Sequence, residues 1–290
     1  MKIGVVLPQT EIGNDPTAIK AYAQAVEDMG FTHILVFDHV LGANPERPGG
    51  WKGPYTYRHA FHEPFVLFGF LAAATRRVEL VTGIVILPQR QTALVAKQAA
   101  AVDVLSGGRL RLGVGVGWNP VEFEALGEDF TTRGRRVEEQ VEVMRALWTR
   151  ELVTFKGAHH QISDAGLNPL PVQRPIPVWM GGESEPVQKR MARIADGWMP
   201  HFRPGAAGQA AVDRLHGMIR DAGRDPKAFG IEGRMALPQI PPAEWGKELE
   251  GWRAMRGITH LCVHTAGRGL ATPDDHVKTL RRFRETVGLG

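Results

Sequence analysis

Short apolar runs rich in β-branched residues alternate along the 290-residue chain with longer amphipathic segments. Such alternation is typical of βα units that build a parallel sheet. Eight runs predict strands, at residues 2–7, 33–37, 78–87, 109–116, 177–180, 197–199, 229–237 and 258–263. The longer segments predict helices at residues 16–29, 64–75, 92–105, 131–149, 185–195, 208–222 and 274–287, and residues 152–177 predict a short polar hairpin or loop.

A closed (β/α)8 barrel, or TIM barrel, is the economical arrangement of eight such strands. We find no change of composition that would mark a linker, so we predict a single α/β domain over residues 1–290, with insertion loops at its C-terminal face. A doubly wound open sheet stays as the alternative, because alternation alone does not show closure. Residues 113–117, Gly-Val-Gly-Val-Gly, also resemble a nucleotide-binding turn.

Charge and composition argue against several classes of protein. The formal net charge of +4 comes from 35 basic and 31 acidic residues that are interspersed, which does not favour nucleic-acid binding. The N-terminal apolar run is soon broken by Pro8, unlike a signal peptide, and no run of about 18 apolar residues follows. The single cysteine, Cys262, predicts a buried structural thiol. We therefore expect a cytoplasmic protein that binds a small molecule, with no membrane or nucleic-acid partner.

Asp38 and His39 end the second predicted strand, where the reacting groups of α/β barrels are found, and they are the predicted catalytic residues. An imidazole titrates near neutrality, and a nearby carboxylate can hold it in one tautomer or keep it charged. The alternative is that His39 only bonds to the long loop 40–62 while Asp38 caps a turn.

Glycines after the fifth predicted strand indicate a cofactor site. Gly181 and Gly182 let the backbone approach a phosphate, and Ser184 begins a helix whose free N–H groups favour an anion. The alternative is that these residues form a tight turn that binds no ligand.

Glycines also follow the fourth predicted strand. Gly115 and Gly117 would let a planar ring or a phosphate lie against the backbone, and Trp118 would close one wall of a pocket. Core packing is the alternative. The spacing of dinucleotide-binding folds fails at Pro120, so this is not their GxGxxG fingerprint.

The sequence predicts no metal site and no serine hydrolase. His159 and His160 are adjacent, and adjacent residues do not normally converge on one ion. His59 and His62 lack a third ligand at a sensible spacing, and the GxSxG motif is absent.

Longer motifs resemble one known family. They are Thr-Gly-Ile-Val-Ile-Leu-Pro at 82–88, Ala-Lys-Gln at 96–98, Leu-Ser-Gly-Gly-Arg at 105–109 and Leu-Gly-Val-Gly-Val-Gly-Trp at 112–118, with Glu-Phe at 122–123, Arg-Gly at 133–134 and Ala-Asp-Gly-Trp at 195–198. Together they resemble the luciferase-like monooxygenase superfamily. The Asp-His pair at 38–39 and the Gly-Val-Gly-Val-Gly-Trp run are most similar to its branch that uses the deazaflavin coenzyme F-420.

This resemblance implies a barrel that binds coenzyme F-420 at its C-terminal mouth, commonly as a homodimer, with hydride transfer at C5 of the ring. Deazaflavins react poorly with oxygen, so it implies a dehydrogenase or reductase rather than an oxygenase. His39 would lie beside the ring as the proton partner. Asp38 would bond to the deazaflavin or steady the histidine.

The resemblance also assigns residues to the cofactor. The end of the third strand, Gly83, Ile84 and Val85, would hold a bulge, often with a non-prolyl cis peptide, that supports the back face of the ring. The residues expected to approach the ribityl-phosphate arm are Gly115, Gly117, Gly181, Gly182 and Ser184.

One departure from the family bears on the substrate. Sugar-phosphate dehydrogenases of this branch use a glutamate as acid where this chain has Trp118, so a sugar phosphate is not expected. The aromatic residues of loop 40–62 predict a largely apolar pocket for a hydrophobic or ring-bearing molecule; they are Trp51, Tyr55, Tyr57 and Phe61. Two alternatives stay open: reduced FMN with oxygen-dependent monooxygenation on the same fold, and a barrel that has lost catalysis.

Overall fold

The computed structural model describes residues 1–267, 269–270 and 272–289 of the chain. Its barrel strands are β1 (Lys2–Val6), β2 (His33–Val36), β3 (Glu79–Thr82), β4 (Leu110–Gly115), β5 (Val178–Gly181), β6 (Gly197–Met199), β7 (Gly230–Ala236) and β8 (His260–His264). The helices are α1 (Pro16–Asp28), α2 (Pro64–Ala74), α3 (Thr92–Ser106), α4 (Pro120–Ala125), α5 (Arg133–Thr149), α6 (Glu185–Ile194), α7 (Ala206–Asp221), α8 (Trp245–Ala254) and α9 (Pro273–Thr286).

The strands form a closed ring of parallel neighbours. β1 pairs with both β2 and β8, and the remaining strands follow in chain order. The ring closes where Leu80 of β3 pairs with Leu110 of β4. The prediction of a TIM barrel is confirmed, and the open-sheet alternative is wrong because an open sheet leaves two edge strands unpaired.

Local sequence signals explain where several helices begin and end. Asp15 caps α1 by accepting a hydrogen bond from the backbone N–H of Thr17, and a proline follows in the first turn. The carboxylate of Glu63 caps α2 in the same way. α3 ends at Gly107, which adopts the left-handed conformation with φ of 70°. Within the described residues, no helix combines the length and the apolar character needed to cross a bilayer.

Two features differ from the sequence prediction. The third strand breaks after Thr82 and resumes as a short segment, Val85–Ile86, because a cis peptide joins Gly83 to Ile84. The helices α4 and α8 are additional. Residues 152–177 contain an antiparallel hairpin of Val153–Lys156 and Gln161–Ala165, which is one of the two forms predicted there.

A buried ionic network fills the barrel near the amino ends of its strands. Glu232 lies 2.6 Å from Nε2 of His33 and accepts a hydrogen bond of 2.6 Å from Nη1 of Arg111. Burial opposes ionisation, but these two partners outweigh it and hold the pKa of Glu232 well below its ordinary value. Ligand atoms of His33, Glu232 and Cys262 lie within 4.8 Å of one another, yet both oxygens of the carboxylate are already engaged. Cys262 is buried as predicted, and burial raises the pKa of its thiol.

Candidate active site

A cavity of about 260 Å³ opens at the carboxyl ends of the barrel strands. Its lining residues are Phe37, Asp38, His39, Tyr55, Gly83, Ile84, Ile86, Val116, Gly117, Trp118, Gly181, Gly182, Met199, His201 and Arg234. Eight of the eleven predicted site residues are among them. Most of the lining is apolar, with a few polar groups, which is the usual make-up of a small-molecule site.

The carboxylate beside His39 belongs to Glu122 of α4. Nδ1 of His39 lies 3.2 Å from Oε1 of Glu122, which also accepts a hydrogen bond of 2.9 Å from the backbone N–H of Val40. Burial alone would raise the pKa of Glu122, but the contacts from His39 and from the Gln89 amide lower it. The ionised carboxylate therefore fixes the proton of the imidazole on Nδ1, which leaves Nε2 as the ring nitrogen for a ligand.

Aromatic side chains surround the imidazole of His39. The ring centroids of Tyr55 and Phe61 lie 4.9 and 4.8 Å from its centroid, and that of Trp118 lies 5.7 Å away. Trp51 in turn packs on Trp118 at 5.8 Å. The aromatic pocket predicted from loop 40–62 is thus present around His39. Of the four predicted residues, Tyr55 lines the cavity itself, Phe61 and Trp51 pack behind it, and Tyr57 is 58% exposed.

Asp38 does not steady His39. Its Oδ1 accepts a hydrogen bond of 2.8 Å from Arg90, and its Oδ2 accepts one of 3.2 Å from the backbone N–H of Ile86. Burial raises the pKa of Asp38, and Arg90 opposes that rise. Arg90 also bonds to Glu63 at the start of α2. The pair of Asp38 and Arg90 therefore ties the end of β2 to the segment after β3, beside the cavity.

The cis peptide between Gly83 and Ile84 lies in one wall of the cavity. Glycines surround the Ile84 side chain. A Cβ atom on Gly115 would lie only 1.8 Å from Cδ1 of Ile84, and one on Gly181 would lie 3.3 Å from it. The bulge that the family resemblance implied at the end of β3 is present, and it presents an apolar side chain to the cavity.

The three other predicted site residues do not line the cavity. Val85 is fully buried in the core. A glycine is needed at position 115 because any Cβ atom there would clash with the Ile84 side chain. Ser184 is exposed and begins α6 without a side-chain capping bond, and Glu185 in the first turn places a negative charge where a phosphate would bind.

Sequence reasoning missed Glu122 and Arg234. Glu122 was part of a family-like motif, but nothing in the pattern linked it to His39, 83 positions away. Arg234 lies on β7 and lines the cavity. Its inward position follows from the period of the strand, since it is two residues beyond the buried Glu232.

A family model described as luciferase-like monooxygenase matches residues 1–237. The chain belongs to this family. An uncharacterized protein of Mycobacterium tuberculosis is 34% identical to this luciferase-like protein over 277 residues, which cover 91% of this chain and 92% of that protein. Membership makes the chain an oxidoreductase or monooxygenase of the luciferase-like kind.

Two solved structures share the fold of this luciferase-like protein. Monooxygenase RslO1 from Streptomyces bottropensis has a TM-score of 0.78 at 20% identity, covering 100% of this chain and 99% of that chain. The coenzyme F-420-dependent tetrahydromethanopterin reductase from Methanopyrus kandleri has a TM-score of 0.74 at 17% identity, covering 99% and 97%. At these identities the likeness concerns the fold alone.

Proposed function

We propose that this luciferase-like protein is a cytoplasmic oxidoreductase that transfers a hydride between coenzyme F-420 and a largely apolar organic molecule. The observation that carries the proposal is the apolar wall at the cis Gly83–Ile84 peptide, in a cavity that His39 also lines. A planar ring placed on Ile84 would lie in the same small space as the imidazole. The coenzyme F-420-dependent reductase among the structures of the same fold agrees with this choice of cofactor.

The residues of the cavity fit a flat cofactor. Gly117, Gly181 and Gly182 expose backbone to it, and Gly182 has φ of 110°, which L side chains rarely adopt. When bound, the deazaflavin would accept or supply the hydride. The wall of Gly83 and Ile84 would support its ring, and the glycines after β4 and β5 would lie along its arm.

The chain's own contribution to the chemistry centres on His39. With Nδ1 held by Glu122, its Nε2 can donate a proton to the substrate oxygen or nitrogen, or accept one from it, as hydride moves. The aromatic rings of Tyr55, Phe61 and Trp118 pack around the imidazole and give it a largely apolar surrounding. The carboxylate of Glu122 would stabilise the imidazolium whenever His39 gains the second proton.

A comparative titration tests the cofactor assignment. The purified protein, stripped of bound ligand, would be titrated with coenzyme F-420 and separately with FMN while fluorescence is followed. We expect micromolar affinity for the deazaflavin and weak binding of FMN. A preference for FMN would overturn the assignment in favour of oxygen-dependent monooxygenation, and binding of neither would remove the enzymatic proposal.

We also propose that the protein is a homodimer, as the family resemblance implies. α2 contains no charged residue and exposes Val66 and Phe70, while the adjacent α3 exposes Leu94 and Leu105. Sedimentation velocity of the Val66→Asp variant should show a shift to monomer. The matched control is Ala210→Asp, since Ala210 is exposed on α7, which follows β6 on the other side of the ring from α2.

A further inference from the structure

The cavity carries a cation on the side opposite the Ile84 wall. Arg234 lies on β7, and β7 is four strands from β3 in either direction around the eight-stranded ring. Both Arg234 and Ile84 line the same cavity. If the cofactor ring lies against Ile84, the substrate would bind on the β7 side of the cavity, next to Arg234.

The guanidinium of Arg234 lacks a counter-charge. In residues 1–267, 269–270 and 272–289, no carboxylate lies within 4.0 Å of its nitrogens. Its Cζ instead lies 5.0 Å from the centroid of the Phe37 ring. The Arg234 side chain is half-buried, so water solvates its charge only in part. The position favours an anionic ligand atom.

The other charged groups of the cavity already have partners. Asp38 is paired with Arg90, and Glu122 with His39 and backbone N–H groups. Partial burial and the charge of Arg234 lower the pKa of His201, and burial with the same charge lowers the pKa of His264 to about 4. Both shifts favour the uncharged imidazole, and Arg234 is the cation that lines this part of the cavity.

We propose that Arg234 determines substrate specificity by binding a carboxylate on an otherwise apolar, ring-bearing substrate. The inference rests on the proposed function, which places the cofactor on the Ile84 side of the cavity. A guanidinium offers two parallel N–H groups to a carboxylate, so it fixes the orientation of the substrate as well as its charge. Phe37 and Met199 would contact the apolar body of the substrate beside it.

The test compares an acid with its neutral isostere. Calorimetric titrations would use 2-naphthoate and 2-naphthamide, with the protein alone and with the protein saturated by coenzyme F-420. We expect the wild-type protein to bind the acid roughly 10- to 100-fold more tightly than the amide, the range for a hydrogen bond to a charged group. Arg234→Met should abolish this preference, and Arg234→Lys should keep part of it.

The control variant is Arg150→Met. Arg150 is an exposed arginine at the C-terminal end of α5, which is the end of the barrel away from the cavity, and its replacement should leave the preference unchanged. Equal binding of acid and amide by the wild-type protein, or no binding of either, would overturn the proposal, as would a preference that persists in Arg234→Met. If coenzyme F-420 does not bind but the preference depends on Arg234, the proposed cofactor fails while the anion site stands.

Discussion

Replacement of Gly115 by alanine should disturb the cofactor site without touching a catalytic group. The new Cβ would lie 1.8 Å from Cδ1 of Ile84, whereas carbon atoms in contact are about 3.5–4.0 Å apart. The Ile84 side chain must therefore move by about 2 Å. Ile84 also lines the cavity, so the cavity offers the displaced side chain space to move into.

Two measurable effects should follow. Overpacking of this kind costs about 1–3 kcal/mol of unfolding free energy, and each kcal/mol lowers the melting temperature of a large domain by about 2–4 °C. Movement of Ile84 into the cavity removes space from the ring of the cofactor, so we expect affinity for coenzyme F-420 to fall at least about tenfold, or 1.4 kcal/mol.

Thermal unfolding and the fluorescence titration together test this reasoning. Gly246→Ala is the matched control, because Gly246 lies in α8 and an added Cβ there meets no atom within 4 Å. The control should bind the cofactor normally. A Gly115→Ala protein with wild-type stability and wild-type affinity would show that Ile84 does not border the ring. A loss of stability without a loss of affinity would likewise show that Ile84 does not border the ring.

Three further perturbations test other parts of the structure. His39→Ala should lower turnover by about 10² or more while leaving cofactor affinity largely intact, since a positioned acid or base contributes about 10²–10⁴; unchanged kcat would remove His39 from the mechanism. Arg90→Met leaves the buried Asp38 carboxylate without its ion pair and should lower the unfolding free energy by about 3–5 kcal/mol, measured by denaturant titration, and the further change Asp38→Asn should restore part of it; strictly additive losses would contradict this pairing. Because Arg111 and His33 hold the pKa of Glu232 below its ordinary value of 4.5 against burial, its carboxylate stabilises the fold above that pH and loses this contribution as the pH falls further. The stability of Glu232→Gln should therefore fall less steeply than that of the wild type below about pH 4.5, and parallel pH profiles would show that the network does not act in this way.

The local pattern of the sequence determined the strands and most helices to within a few residues. Strands and helices differ in the period of their side chains, and this period is visible in a short stretch of chain. The same pattern placed Asp38 and His39 at the end of β2, and the cis peptide at Gly83 followed from the family resemblance. The short helix α4 was not predicted, because its six residues are too few to show a helical period.

Only the tertiary structure decided which side chains meet. His39 contacts Glu122 rather than its neighbour Asp38, because successive residues at the end of a strand point in opposite directions. Arg234 faces Ile84 across the mouth only because eight strands close into a ring. Such pairings depend on the register and closure of the whole sheet, which no local segment of the sequence contains.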